Sequence, residues 1–388
     1  MRLAHCLVLL VLILASVGLA AEDPGLLSVQ PEGLALVREK GALFNNRPLY
    51  CPELNAFVLG GDRPLIRFGR EPWQYGTLML ALENGQQARW LHHFEQVRSA
   101  YRAARLQWTL RDEAFPGRTV TVELVTLASG AGLALKASVA GAQPDDMLLW
   151  AFGGAKAREN TGTNLSWELD PLGGRLLGRD FQPTESEGDE WQLAGRGFSI
   201  TDTEAGWPAH VLAGASNTAP RLVDADAWDK PASLLDSQAG GRPLVVGELN
   251  LASGQPLYWA CEAWPTAEGR VVTSPPEPAE AFRAGLARAR DLGQRVLVET
   301  PDAYLNALAS VASAAIEGVW NPPVFVHGGM LWNIPFPGWR TLSGGMAYGW
   351  HDRVRQEGAY YLGLQVRESD KKLSRHDPGT DYTLQAAD

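Results

Sequence analysis

Thr119 to Val139 reads TVTVELVTLASGAGLALKASV. Polar and apolar residues alternate through its first half, the period of a strand with one face in a core. Ser129-Gly130 then supplies a turn before Gly132 to Val139 extends again. The predicted unit is an antiparallel hairpin, and the same signature recurs on both sides of it. Leu78–Leu82 and Ala88–Phe94 flank Asn84-Gly85, the strongest short hairpin signal. Leu244–Leu251 and Leu257–Ala263 flank Ser253-Gly254 and are expected to pair in the same way. Strands separated by short turns, without crossover helices, predict one large antiparallel β-sandwich over residues 25–274. Gly153-Gly154 matches neither phosphate-loop nor dinucleotide spacing, so no nucleotide site is expected.

Beyond Pro275 the period changes. Pro278 to Leu292 (PAEAFRAGLARARDL) predicts a helix stopped by Gly293, with a short extended link up to residue 299. Thr300-Pro301-Asp302 predicts the next helix start, with Thr300 as cap and Pro301 at the first position. From there Leu305, Leu308, Ala312, Ala315, Ile316 and Val319 fall within about a 100° arc, predicting one buried stripe. A second helix is expected over about Arg353–Val366, and Glu368–Asp388 is polar without a stripe.

The N-terminus predicts export. Arg2 precedes the aliphatic run Leu7–Leu14, Gly18 and Ala20 provide small residues for cleavage, and Glu22-Asp23-Pro24 closes the segment. Residues 1–20 are thus expected to be a signal peptide, placing the mature chain in the periplasm or outside the cell. Without Cys6, which lies in the signal, Cys51 and Cys261 remain, either as one disulfide or as two buried thiols. There are 34 Lys plus Arg against 44 Asp plus Glu, a net charge of -10 with no basic run. Nucleic acid and anionic membrane surfaces are therefore excluded as expected partners.

Chemistry concentrates between the two C-terminal helices. Trp320 to Trp350 holds seven aromatics, four prolines and six glycines, including Trp332, Trp339 and Trp350. His327, Asn333, Arg340, His351, Asp352 and Arg353 are set among them or just after. Long irregular connections in compact domains are usually functional. Flat rings beside amides, carboxylates and guanidinium groups suit a sugar, which has apolar C–H faces and a hydroxyl rim. Elsewhere the signals are weaker. His92-His93 on the predicted strand would point to opposite faces and could not hold one metal. Asp224, Asp226 and Asp229 depart from a calcium loop and read as a solvated turn. Asp352 and Glu357, five residues apart, fall on different helix faces and do not form a glycosidase pair. No metal or cofactor is expected.

The order of these parts resembles the N-terminal part of secreted bacterial six-hairpin glycosidase-like proteins, including a group whose domain has no assigned function. The resemblance rests on the sandwich, the connecting helix, the Thr300-Pro-Asp-Ala-Tyr-Leu-Asn306 helix start and Tyr348-Gly-Trp-His-Asp-Arg353. Asn45-Asn-Arg-Pro-Leu49 and Gly61-Asp-Arg-Pro-Leu65 look like that group's sandwich. It implies a mainly β fold, a supersandwich-like domain followed by a linker helix and the first hairpin of an (α/α)6 toroid. It also implies carbohydrate as the partner, with Trp350, Asp352 and Arg353 on sugar hydroxyls and the acid and base in later hairpins. Twelve helices need roughly 200 residues, whereas residues 295–388 number 94. Residues 300–388 are therefore expected to be the start of a truncated toroid. Two functions follow: the front of a glycoside hydrolase acting on an extracellular polysaccharide, or a non-catalytic module for glycan binding or domain support.

Overall fold

A computed structural model describes residues 29–41, 47–52, 56–70, 73–155, 180–202, 209–216, 219–265, 277–326 and 342–363. Two antiparallel sheets face one another. The first runs in the order β1 (Val29–Glu32), β2 (Ala35–Glu39), β8 (Gln96–Arg102), β9 (Arg105–Arg111), β10 (Thr119–Thr126), β11 (Ala131–Ala140), β18 (Leu257–Pro265), β15 (Ala209–Ala215), β14 (Gly197–Asp202), β13 (Asp189–Ala194). The second runs β16 (Arg221–Asp224), β17 (Pro243–Asn250), β12 (Met147–Gly153), β6 (Trp73–Glu83), β5 (Ile66–Arg70), β4 (Phe57–Gly60), β3 (Arg47–Tyr50), with β7 (Ala88–Trp90) also paired to β6. The hairpins around Ser129-Gly130 and Asn84-Gly85 form as expected. The hairpin expected around Ser253-Gly254 does not. β17 lies in the second sheet and β18 in the first, because a 3-10 turn over Leu251–Ser253, closed by left-handed Gly254 (φ 66°), carries the chain across the sandwich.

Alternation explains the core. Leu78, Leu80 and Leu82 of β6, and Leu148, Trp150 and Phe152 of β12, point between the sheets, while Met79, Ala81, Leu149 and Ala151 point outward. The outward set is covered in turn by Phe181, Trp228 and Leu234, the last on α1 (Pro231–Asp236). Covered on both faces, these strands read as nearly continuous apolar runs. Trp90, Trp108, Trp150 and Trp259 are fully buried, so these four of the 14 tryptophans are core rather than ligand-facing surface. Cys51 and Cys261 are both buried and unbonded, and burial pushes the Cys51 thiol up to about 12.

Three helices add a further layer. α2 (Pro278–Gly293) lies on β10, β11 and β18. Gly285 gives it close approach, since a Cβ there would stand 2.4 Å from the Thr126 carbonyl oxygen. α3 (Ala303–Gly318) is capped by Asp302, which accepts from Tyr304 N at 2.8 Å. Thr300 is therefore not the cap; its Oγ1 accepts from Asp302 N and Pro301 precedes the helix. The buried side of α3 follows the expected stripe only at its C-terminal end, where Val319 is buried and Ile316 packs against the cluster that holds Phe325. Ala307, Ser310, Val311, Ser313, Ala314 and Gly318 are buried, whereas Leu305 and Leu308 are each 52% exposed. Small residues face inward because α3 lies close to its neighbours: Ser310 Oγ donates to Gly293 O at 2.6 Å, and a Cβ on Gly318 would overlap Tyr50. α4 (His351–Gly363) follows.

Candidate functional site

The junction between the sandwich, α3 and α4 gathers aromatic rings and guanidinium groups. The connection expected to be irregular throughout contains a two-residue hairpin, β19 (Trp320–Asn321) with β20 (Val324–Phe325), and a helical turn over 342–347. That turn ends on Trp350, whose N–H donates to Gly345 O at 2.8 Å, and α4 starts directly after it, with Val354 N donating to Trp350 O. Trp350 is buried, at 9% exposure, beside Tyr348. Tyr348 in turn donates from its hydroxyl to Ala309 O of α3 at 2.6 Å.

Two cations lie against the Trp350 ring. Arg295 Cζ is 4.4 Å from its centroid and Arg353 Cζ is 5.4 Å away, with Arg353 also 5.6 Å from Trp320. Cation–ring contacts of this kind hold both partners in place. Arg295 Nε further donates to Tyr348 O at 2.5 Å, which pins the turn before α4 to the end of α2. Burial lowers the Arg353 pKa, helped by Arg295 and Arg288 and opposed by Glu317. Glu317 is itself paired with Arg288, which also donates to Thr126 Oγ1. Glu357, one turn after Arg353, is fully buried with neither carboxylate oxygen hydrogen-bonded. Burial pushes its carboxyl up to about 7, and the Phe325 backbone N–H offsets that only in part without reaching hydrogen-bond geometry.

Of the residues expected to meet sugar, Trp350 and Arg353 come together here, with Trp320. His351 and Asp352 instead face solvent at the start of α4, where Asp352, 85% exposed, pairs with Arg355. His327, Trp332, Trp339 and Arg340 lie outside the described residues. Arg295 was not anticipated; nothing in its local spacing marks it. A surface hollow of 580 Å³ lies elsewhere, between the β13–β14 turn and the start of α2.

A second polar group forms where β7 ends. His92 and His93 do not continue the strand but sit in a 3-10 turn, Leu91–His93, so their rings turn to the same side instead of alternating. Their Nε2 atoms lie 3.1 Å and 2.6 Å from the two carboxylate oxygens of Asp180. The expectation that the pair must point apart is thus overturned. Burial lowers the His92 pKa against the pull of Asp180. For Asp180, burial alone would raise the carboxyl, but the hydrogen bonds and charge of the two imidazoles hold it well below the usual carboxylate range.

The sequence family described as a domain of unknown function (DUF4450) matches residues 72–283. No curated protein matches the chain. Among solved structures, a bacterial glucoamylase complexed with acarbose is similar at a TM-score of 0.51 and 7% identity, over 84% of this chain and 50% of that one. A protein described as a kojibiose phosphorylase from the human microbiome aligns at 0.38 and 8%, over 75% of this chain and 41% of that one. A family GH92 inverting mannosidase from Bacteroides thetaiotaomicron aligns at 0.32 and 8%, over 75% and 35%. The chain spans half or less of the length of these structures.

Proposed function

The chain belongs to that family of unknown function, and from this premise we propose that it is the glycan-recognising front of an exported glycoside hydrolase-like protein. The observation that carries the reading is the architecture: a large sandwich followed by α2, α3 and α4, shared with the glucoamylase at fold level. Recognition is assigned to the exposed start of α4. Asp352 and His351 present acceptors and donors there, while Trp350, clamped by Arg295 and Arg353, fixes the backbone beneath them. Hydrolysis is not assigned to the described residues. Asp352 faces solvent and Glu357 is buried on another side of the same helix, so these two acids do not converge on one bond. Residues 1–20, outside the described residues, serve as the export signal in this reading, and no described helix is long and apolar enough to cross a membrane.

The test is a panel of neutral oligosaccharides, malto-oligosaccharides included, against the wild type and Asp352→Asn. Asp352 is exposed, so the variant keeps its melting temperature. Loss of a charged hydroxyl acceptor is expected to weaken glycan affinity about tenfold, on the order of 1.5 kcal/mol. A bound glycan whose affinity is unchanged in Asp352→Asn removes the residue from the site, and absence of binding across the panel removes the reading.

A further inference from the structure

The geometry points to a divalent transition-metal site at His92 Nε2, His93 Nε2 and the Asp180 carboxylate. This lies apart from the α4 region and does not depend on the glycan reading. The three donor groups lie within 4.8 Å of one another. Two imidazoles and one carboxylate form a nitrogen-rich set suited to zinc-like ions rather than to calcium or magnesium, which favour all-oxygen shells.

The set is held in place from both sides. Arg63 donates to His92 O at 3.0 Å, to Phe94 O at 2.6 Å and to Gly41 O at 2.9 Å, so the turn carrying both histidines is fixed by its own carbonyls. The Trp90 ring stacks on His92 at 6.1 Å with planes 20° apart. On the other side, Asp180 Oδ1 accepts from Phe181 N at 2.9 Å, and the turn that follows is anchored by the buried Arg67–Glu185 pair at 2.8 Å. Gln74 Nε2 adds a hydrogen bond to Glu185 at 2.9 Å. Preorganised donors of this kind are what a metal centre requires.

The two imidazole–carboxylate spacings need little change, and the two Nε2 atoms start within 4.8 Å of each other. Three donors at zinc-like bond lengths stand about 3.4 Å apart in a tetrahedron. His93 and Asp180 must therefore separate by somewhat less than 1 Å from 2.6 Å, and the His93 side chain, 39% exposed, has solvent beside it. Three protein ligands leave a fourth position on the solvent side for water or another donor. The weak point is His92 Nδ1, which is buried without a protein partner. A coordinated neutral imidazole must carry its proton there, so the site lacks the outer-shell acceptor typical of metal-bound histidine. That omission costs about 10–100-fold in affinity, which makes this an exchangeable site.

The experiment uses the untagged full chain, stripped with chelator and titrated with Co²⁺ and Zn²⁺. One equivalent of Co²⁺ with a visible ligand-field band, displaced by Zn²⁺, is expected, together with a rise in melting temperature on Zn²⁺ addition. His93→Gln keeps a donor toward Asp180, and Asp180→Asn keeps an acceptor toward one ring and turns an amide donor toward the other, whose neutral tautomer can accept it, so each removes a ligand while retaining hydrogen bonding. Each is expected to weaken binding at least tenfold and to abolish the thermal shift, with the metal-free melting temperature close to wild type. Absence of a saturable equivalent in the wild type overturns the proposal, and so does binding that both variants leave unchanged.

Discussion

Glu357 is the buried carboxyl with the most direct consequence for stability. Its pKa rises from an ordinary 4.5 to about 7 on folding because burial disfavours the charged form. Below pH 4.5 the group is protonated in both states and imposes no penalty. Between 4.5 and 7 the unfolded chain releases the proton while the folded chain retains it, so stability falls as pH rises and the loss is complete above 7. At about 1.4 kcal/mol per pH unit the loss is about 3 kcal/mol at most. Glu357→Gln removes the charge and its titration. Melts of both proteins at pH 5 and pH 8 are expected to show the variant gaining relative to wild type much more at pH 8 than at pH 5; an equal difference at both values means that Glu357 does not titrate as described. Sequence placed Glu357 and Asp352 on different helix faces, which the structure bears out, but burial depth is set by the Phe325 hairpin and could not be read from α4 alone. The histidine pair shows the opposite difficulty. Their alternation was inferred from a strand that ends at Trp90, and the 3-10 turn that brings them together has no proline or glycine to announce it.

Helix α2 was legible to within a residue, because Pro278, an amphipathic repeat and Gly293 all agree. What its sequence does not display is how closely it lies on the sheet. Gly285 occupies a position where an alanine Cβ would meet the Thr126 carbonyl at 2.4 Å and Val125 Cγ2 at 2.7 Å. Alanine improves helix propensity by about 1 kcal/mol, but overpacking against backbone costs about 1–3 kcal/mol, so Gly285→Ala is expected to destabilise. Gly358 on α4 has nothing within 4 Å of the added Cβ, and Gly358→Ala is expected to stabilise by up to about 1 kcal/mol. Denaturant midpoints read both signs; a stabilised Gly285→Ala would mean that α2 does not lie this close to β10. Close approach also explains the misread stripe of α3. Periodicity marks which residues are apolar, whereas packing against Tyr50 and Gly293 selects those that are small.

Across the chain, hairpin signals gave the antiparallel sandwich, but they could not say which strands change sheets. Ser253-Gly254 looks like the other turns in sequence; its strands separate because Trp259 and Cys261 of β18 pack between the sheets from the side opposite Val245 and Leu249 of β17. The helical layer leaves a further consequence. Inward packing of α3 uses its small residues, so Leu305 and Leu308 remain on its outer side, each at 52% exposure. Met346 and Leu362 are exposed at 50% and 73%. The proposed toroid reading assigns further helices to cover such a face. Left exposed, the face is expected to bind a hydrophobic dye and to drive concentration-dependent association. Replacing both Leu305 and Leu308 with lysine should suppress dye binding and association together. The melting temperature should stay close to wild type, because half-exposed side chains contribute little packing and the inward small-residue face is untouched. A double variant that unfolds would show instead that these leucines are already buried against another part of the chain, and the outer face of α3 would then need no further helices to cover it.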